Sequence, residues 1–167
     1  PEPSTKLYPI IMASYHRLVV YFDGASKNNP RGPAGCGWVI YEMNSAGGDV
    51  HSNRVAHGQK YLGYNVSNNQ AEYKGLEAAL DYLNANRISC NGLYLRGDSE
   101  IVLKQLEGTY KVRSRNIIGN YTAVVNRLNQ IDKQFVKYTH VERSRNAVAD
   151  DLANQAIVDL TEYGVSG

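Results

Sequence analysis

The segment Leu18-Val19-Val20-Tyr21-Phe22-Asp23-Gly24 decides the fold, because a run of β-branched and aromatic residues ends there in an acidic turn residue. Such a run predicts a buried strand. Residues 25–35, rich in Gly, Pro and Asn, predict a loop after it. Asp23 is therefore expected at the carboxyl end of the first strand.

Outward from this strand, the pattern first continues with strands and then changes to a helical period. Close strands at 37–42 and about 53–61 favour an antiparallel meander. A helix is predicted from Asn69 to about Asn86, with Asn68 or Asn69 as its cap. The elements after it are, in order, a strand at 92–98, helices at 99–106 and about 116–131, a strand at 135–140 and a helix at about 146–160. This order predicts an α/β fold with a mixed five-stranded sheet, its first three strands antiparallel and the others parallel, flanked by helices.

Length and composition fit one globular domain, which we expect over residues 15–163 after a flexible lead-in at residues 1–14. The formal net charge of +2 allows a nucleic-acid partner only through a local basic footprint. Cys36 and Cys90 lie far apart without metal-ligand spacing. They argue against a disulfide scaffold or a zinc site and favour an intracellular location, with the compartment left open. No apolar run reaches membrane-spanning length, so we expect no membrane partner.

Four acidic residues are candidates for chemistry. Asp23 and Asp98 each end a predicted strand, and this edge of an open α/β sheet is where ligands bind; turn formation is the alternative explanation for each. Glu72 shares a helical face with Leu76, where a carboxylate should not be buried without a partner. A helix-dipole or snorkelling role is its alternative. Asp150 borders the apolar stripe of the last helix, whereas its neighbour Asp151 points about 100° away, toward solvent.

Converging carboxylates repel one another unless cations lie between them. Their hard oxygen ligands suit magnesium or manganese. Two such ions roughly 3.5–4 Å apart can activate a water and stabilise the leaving oxygen in phosphodiester cleavage.

The chain resembles type 1 ribonuclease H along nearly all of residues 18–158. Four motifs carry the resemblance: Tyr21-Phe22-Asp23-Gly24-Ala25-Ser26, Asn68-Asn69-Gln70-Ala71-Glu72-Tyr73, Gly97-Asp98-Ser99-Glu100, and Asn146-Ala147-Val148-Ala149-Asp150-Asp151-Leu152-Ala153. Each motif alone is weakly specific, but all four in this order and spacing are highly specific. The resemblance implies the ribonuclease H-like fold and endonucleolytic cleavage of the RNA strand of RNA–DNA hybrids, which leaves 5′-phosphate and 3′-hydroxyl ends.

The resemblance also implies the site. The catalytic and metal-binding acids of the family fall on Asp23, Glu72, Asp98 and Asp150, which implies two Mg²⁺ ions, with Mn²⁺ able to substitute. His140 matches the family's histidine, which is thought to assist proton transfer or product and metal release; a structural histidine at a strand end is the alternative. The expected substrate contacts are Gly24, Ser26, Asn29, Asn68, Asn69, Gln70 and Ser99. Asn68 and Ser99 can also act as helix caps.

One departure from some relatives is the absence of a strongly basic helix and loop after the fourth-strand helix. This connection holds only Lys104, Lys111, Arg113 and Arg115, which form a modest cationic edge that could meet phosphates or could simply be solvated. The chain therefore resembles the compact variety of the family. We expect a monomer that binds an RNA–DNA hybrid, either as a stand-alone enzyme or as a module of a larger polyprotein or reverse transcriptase.

Other functions on the same scaffold fit less well. A non-catalytic binding or connector domain would lose one or more acids, and all four candidates are present. Proofreading-type exonucleases carry an acid two residues after the first Asp, where this chain has Ala25. Integrases and transposases have a different acid spacing and lack the Asn-Asn-Gln-Ala-Glu segment.

Overall fold

The apolar run around residue 20 lies inside a mixed sheet and is buried on both of its faces. The computed structural model describes residues 13–43, 51–160 and 163–166. Its strands are β1 (Ser14–Ser26), β2 (Ala34–Met43), β3 (His51–Gly63), β4 (Ser89–Gly97), β5 (Phe135–His140) and β6 (Tyr163–Ser166). Its helices are α1 (Asn68–Ala85), α2 (Glu100–Glu107), α3 (Arg115–Gln130) and α4 (Ala147–Asp159), the last preceded by a short 3₁₀ helix at Arg143–Asn146.

The strand order in the sheet is β5-β4-β1-β2-β3-β6. β1, β2 and β3 pair antiparallel, whereas β4 is parallel to β1 and β5 is parallel to β4. The predicted five-stranded mixed sheet is confirmed. β6 is an addition that pairs antiparallel with β3. Its four residues, Tyr-Gly-Val-Ser, are too few to give a recognisable alternation in the sequence.

The helices cover both faces of the sheet. Leu18, Val20 and Phe22 of β1 pack into a core with α1, α2 and α3. The alternate residues Val19 and Tyr21 point to the other face, where Ala149 of α4 lies. This alternation is the ordinary two-residue period of a strand, and burial on both faces explains why the run is continuously apolar.

The start of α1 differs from the prediction. Ser67, and not Asn68 or Asn69, is the N-cap: its hydroxyl accepts a hydrogen bond from the Gln70 backbone N–H, and the Gln70 side chain accepts one from the Ser67 backbone N–H. The predicted cap was wrong because this reciprocal capping box satisfies two backbone donors at once.

The ends of the predicted domain lie partly outside the described residues. Residues 1–12 of the predicted lead-in are among those not described, and β1 begins at Ser14. Among the helices of the described ranges, none combines the length and apolar character needed to cross a membrane.

Candidate active site

Three of the four predicted acids meet at one edge of the sheet. Asp23 lies in the last part of β1 and Asp98 directly follows β4, and these strands are parallel with Tyr21 opposite Arg96. Both carboxylates therefore emerge at the same level. Glu72, one turn inside α1, completes the group, and each of the three offers an oxygen within 4.8 Å of the others.

Glycine allows the helices to come close enough for this meeting. A Cβ on Gly24 would lie 2.3 Å from the backbone of Ala71 and Glu72, so the first turn of α1 rests directly on β1. On the other face, a Cβ on Gly37 would lie 2.5 Å from the carbonyl oxygen of Ala149, which brings α4 against β2. Side chains in these places would push α1 away from β1, which carries Asp23, and α4 away from the neighbouring β2.

Asp150 reaches the same cleft from α4. Its side chain is partly buried and within hydrogen-bond reach of the Asp23 carboxyl, whereas Asp151 is exposed, as the helical pattern predicted. The buried Asn146 anchors the start of the helix, because its Nδ2 donates to the carbonyl oxygen of Phe22 at 2.9 Å. That bond ties α4 to the residue immediately before Asp23.

Burial and mutual repulsion change the protonation of the two deepest acids. Burial, with the nearby charge of Asp98 and a hydrogen bond with Asp150, raises the pKa of Asp23 to about 7, although its hydrogen bond with Glu72 acts in the opposite direction. Burial, with the hydrogen bond to Asp23, raises the pKa of Glu72 well above its usual value. Both shifts favour the protonated forms of these two carboxyls when no cation is bound.

The carboxylate group fits divalent cations. Oε2 of Glu72 is buried and has no hydrogen-bond partner in the described part of the chain, an arrangement that is costly unless a cation or proton reaches it. The donors are all hard oxygens, the kind that Mg²⁺ and Mn²⁺ prefer.

The cleft around the acids contains most of the predicted substrate residues. Its walls include Gly24, Ser26, Asn68, Asn69, Ser99, His140 and Asp150. His140, at the end of β5, lies with Nε2 3.1 Å from the backbone oxygen of Asp98. Ser99 is also the N-cap of α2, as predicted.

Asn29 and Gln70 occupy supporting positions and are not among the residues that line the cleft. The Oδ1 atom of Asn29 accepts from the Asn68 backbone N–H at 3.0 Å. The Oδ1 atom of Asn68 in turn accepts from the Ser26 backbone N–H at 2.9 Å. Gln70 completes the cap of α1 and donates to the backbone oxygen of Asn116 at 3.4 Å. The loop after β1 is thereby tied to the start of α1.

Three residues around Asp150 were not predicted as site residues. Arg143 lies 3.6 Å from Oδ1 of Asp150, and Asn154 donates to the backbone oxygen and to Oδ1 of the same residue. Asn154 is one helical turn after Asp150, a spacing that could have indicated the contact. Lys27, which donates to Asn154, is 127 positions away, so no local pattern indicated it.

Comparison with known proteins supports the same family. A family profile described as "Reverse transcriptase-like" matches residues 21–156. Ribonuclease HI of Halobacterium salinarum is 39% identical over 86% of this chain and 65% of its own length. The bifunctional protein Rv2228c of Mycobacterium tuberculosis is 33% identical over 84% of this chain and 35% of its own length. The chain thus spans about two thirds of the length of the first relative and about one third of the length of the second.

Solved structures agree in fold and in sequence. The Halobacterium salinarum RNase H1 crystal structure has a TM-score of 0.73 at 38% identity, covering 86% of this chain and 98% of that one. The N-terminal RNase H domain of Rv2228c has a TM-score of 0.72 at 32% identity, covering 84% and 98%. LC11-RNase H1, solved in complex with an RNA/DNA hybrid, has a TM-score of 0.74 at 30% identity, covering 86% and 98%. With these matches and the acidic cleft described above, the chain belongs to the type 1 ribonuclease H family.

Proposed function

We propose that this chain is a metal-dependent endonuclease that hydrolyses the RNA strand of RNA–DNA hybrids by a two-metal-ion mechanism, leaving 5′-phosphate and 3′-hydroxyl ends. The convergence of Asp23, Glu72 and Asp98 within 4.8 Å, with Asp150 on the same cleft, is the observation that carries the proposal. The hybrid bound to LC11-RNase H1 supports the choice of substrate.

Asp23, Glu72, Asp98 and Asp150 would hold the ions, which we propose are Mg²⁺ with Mn²⁺ as a substitute. Bound in this way, the ions would supply an activated water and stabilise the leaving oxygen. The residues themselves orient the ligand oxygens: the Gly24 backbone N–H donates to Oδ1 of Asp23 at 2.8 Å, which fixes that carboxylate against the end of β1.

His140 is proposed to handle a proton at the mouth of the cleft. Its Nε2 can donate to the Asp98 backbone oxygen in the resting state and turn to the departing 3′-oxygen during reaction, because the side chain is exposed. Substrate choice is proposed to rest on Asn68 and Asn69. Their side chains line the cleft, and amide groups can read the 2′-hydroxyl that distinguishes RNA from DNA.

The test is incubation of the full chain with an end-labelled RNA–DNA hybrid, duplex RNA or duplex DNA, with Mg²⁺ or EDTA. We expect internal cuts in the RNA strand of the hybrid only, dependent on the metal, with products that a 5′-phosphate-dependent exonuclease can degrade. Cutting of duplex DNA, or cutting in EDTA, would overturn the proposal.

Substitutions then assign the activity to the cleft. Asp150→Asn should lower kcat at least about 1000-fold, because an interaction worth several kcal/mol in the transition state is lost. Asp151→Asn is the matched control, since this neighbouring acid is exposed, and it should cut like the wild type. Equal activity of the wild type, Asp150→Asn and Asp151→Asn would show that the reaction does not take place in this cleft.

A further inference from the structure

Lys27 and Asn154 form a chain of hydrogen bonds that ends on Asp150. Lys27 Nζ donates to Oδ1 of Asn154 at 2.9 Å. Asn154 Nδ2 donates to the backbone oxygen of Asp150 at 2.9 Å and to its Oδ1 at 3.3 Å. The amide of Asn154 therefore lies between an ammonium group and a carboxylate, with its oxygen toward the cation and its nitrogen toward the anion.

The backbone of Lys27 is fixed by hydrogen bonds within its own loop. Its backbone N–H donates to the Pro33 oxygen at 3.0 Å, and its oxygen accepts from the Gly32 N–H at 2.8 Å. A Cβ at Gly32 would lie 2.4 Å from the Lys27 oxygen, so the loop closes tightly on itself. The ammonium thus starts from a fixed backbone position and reaches across the cleft to α4.

We propose that Lys27 and Asn154 are positioning residues for Asp150: Lys27 orients and polarises the Asn154 amide, and Asn154 holds Oδ1 of Asp150 so that its carboxylate faces the ions. The inference rests on the proposed function, because it assigns metal binding to Asp150. Groups that orient a metal ligand in this way commonly change metal affinity or activity by about 10- to 100-fold when removed.

A direct contact between Lys27 and a substrate phosphate is the competing role, because Lys27 also lines the cleft. The two roles differ in what they change. A phosphate contact acts on the KM for the hybrid and leaves metal affinity unaltered. A positioning role acts on metal affinity without any nucleic acid present.

The experiment measures Mn²⁺ binding to the full chain by calorimetry without nucleic acid, together with the Mg²⁺ concentration that gives half-maximal hybrid cleavage. The variants are Lys27→Met, Asn154→Ala and their combination, with Lys27→Arg as the conservative replacement. We expect each single variant to weaken Mn²⁺ binding and raise the Mg²⁺ midpoint about tenfold. The double variant should resemble Asn154→Ala alone, because Lys27 acts through Asn154, and Lys27→Arg should recover most of the affinity.

Lys74→Met and Gln155→Ala are matched controls. Lys74 is a half-exposed lysine paired with Glu77 on α1, and Gln155 bonds Asp159 on the outer side of α4. Both should bind Mn²⁺ as the wild type does. Unchanged Mn²⁺ affinity in Lys27→Met and Asn154→Ala, additive effects in the double variant, or a change in KM alone would overturn the proposal. If the wild-type protein bound Mn²⁺ but did not cut the hybrid, the proposed function would be refuted, and the Mn²⁺ affinities of the variants would still test this inference. If the wild-type protein bound no Mn²⁺, both the proposed function and this inference would be overturned.

Discussion

Burial of Asp23 and Glu72 lowers the stability of the folded protein by an amount that depends on pH. Both carboxyls are buried, and the pKa of Asp23 is raised to about 7 by that burial and by Asp98 and Asp150. In an unfolded chain the same group ionises near its ordinary value, about 3.9. A raised folded pKa means that the folded state binds the proton more tightly. The contribution of Asp23 to stability is therefore fully present below about pH 4 and is lost as pH rises to about 7.

Asp23→Asn should accordingly stabilise the protein in EDTA at pH 8. Asn cannot ionise, so the penalty of an ionised buried group disappears. The gain should be on the order of 2 to 4 kcal/mol, or roughly 5–10 °C in Tm. The gain should shrink toward zero below about pH 4. Thermal unfolding in EDTA from pH 4 to pH 8 measures this, with the exposed Asp151→Asn as control. A gain that is the same at every pH would contradict the electrostatic explanation.

His140 has two explanations that a single substitution separates. As a proton-handling group at the mouth of the cleft, its removal in His140→Ala should lower kcat about 100-fold, the low end of the usual contribution of general acid–base catalysis. Mn²⁺ affinity and the free energy of unfolding should change little, because the side chain is exposed. Thr139→Ala, an exposed neighbour on the same strand, should leave kcat unchanged. Lower stability with a normal kcat would favour the purely structural role.

Two helices meet the sheet through glycine, and this contact determines where their acids lie. α4 approaches β2 at Gly37, where an added Cβ would lie 2.5 Å from the Ala149 oxygen and 2.6 Å from the Ala153 nitrogen. Both of these atoms belong to backbone, which cannot rotate away as a side chain can. Any side chain at this position must therefore move the helix.

Gly37→Ala should thus lower the free energy of unfolding by about 2–3 kcal/mol, within the range for overpacked sites. It should also weaken Mn²⁺ binding, because α4 carries Asp150. Gly119→Ala in α3 is the control: a Cβ there meets nothing within 4 Å, so this change should stabilise the helix by about 0.5–1 kcal/mol. Urea denaturation and calorimetry measure the two effects. A Gly37→Ala protein as stable as the wild type would show that α4 does not need this close approach.

The elements that could be predicted from the sequence are those whose pattern is local. Short strand-like segments separated by turn residues indicated five strands. The position of Glu72 on the same helical face as Leu76 indicated a buried carboxylate, and Glu72 is buried in the structure. The Ser67 cap was missed because neighbouring asparagines are equally good caps by type, and only the reciprocal Gln70 bond distinguishes them.

The remaining features depend on contacts between distant parts of the chain. β6 exists through its pairing with β3, about a hundred residues earlier, and the Lys27–Asn154 bond joins the first loop to the last helix. The short distance between the acids also depends on residues far apart in the sequence. The sequence predicts Asp23 and Asp98 at the ends of two strands, but they lie side by side because β1 and β4 pair in parallel in this register. No pattern within one segment contains that information.

Across the whole molecule, charge is nearly balanced, so attraction of a polyanion must come from a local surface. The net charge is +2. Lys111 and Arg113 are exposed in the connection between α2 and α3, and Arg115 is exposed at the first position of α3. This cationic edge adjoins the start of α1, because Gln70 bonds the backbone oxygen of Asn116. A hybrid lying over the acidic cleft could therefore place a phosphate strand on this edge.

Replacing Arg113 and Arg115 by Gln should raise the KM for the hybrid and leave kcat at saturation unchanged. Each lost phosphate contact should reduce the log–log dependence of KM on salt concentration by about 1, since one fewer counterion is released on binding. Steady-state cleavage from low to moderate salt measures the slope. Arg87→Gln is the control, because this exposed arginine follows the far end of the 18-residue α1, about 27 Å from the cleft side. If Arg87→Gln changed the slope as much as the double replacement did, binding would depend on overall charge and the cationic edge would have no special role.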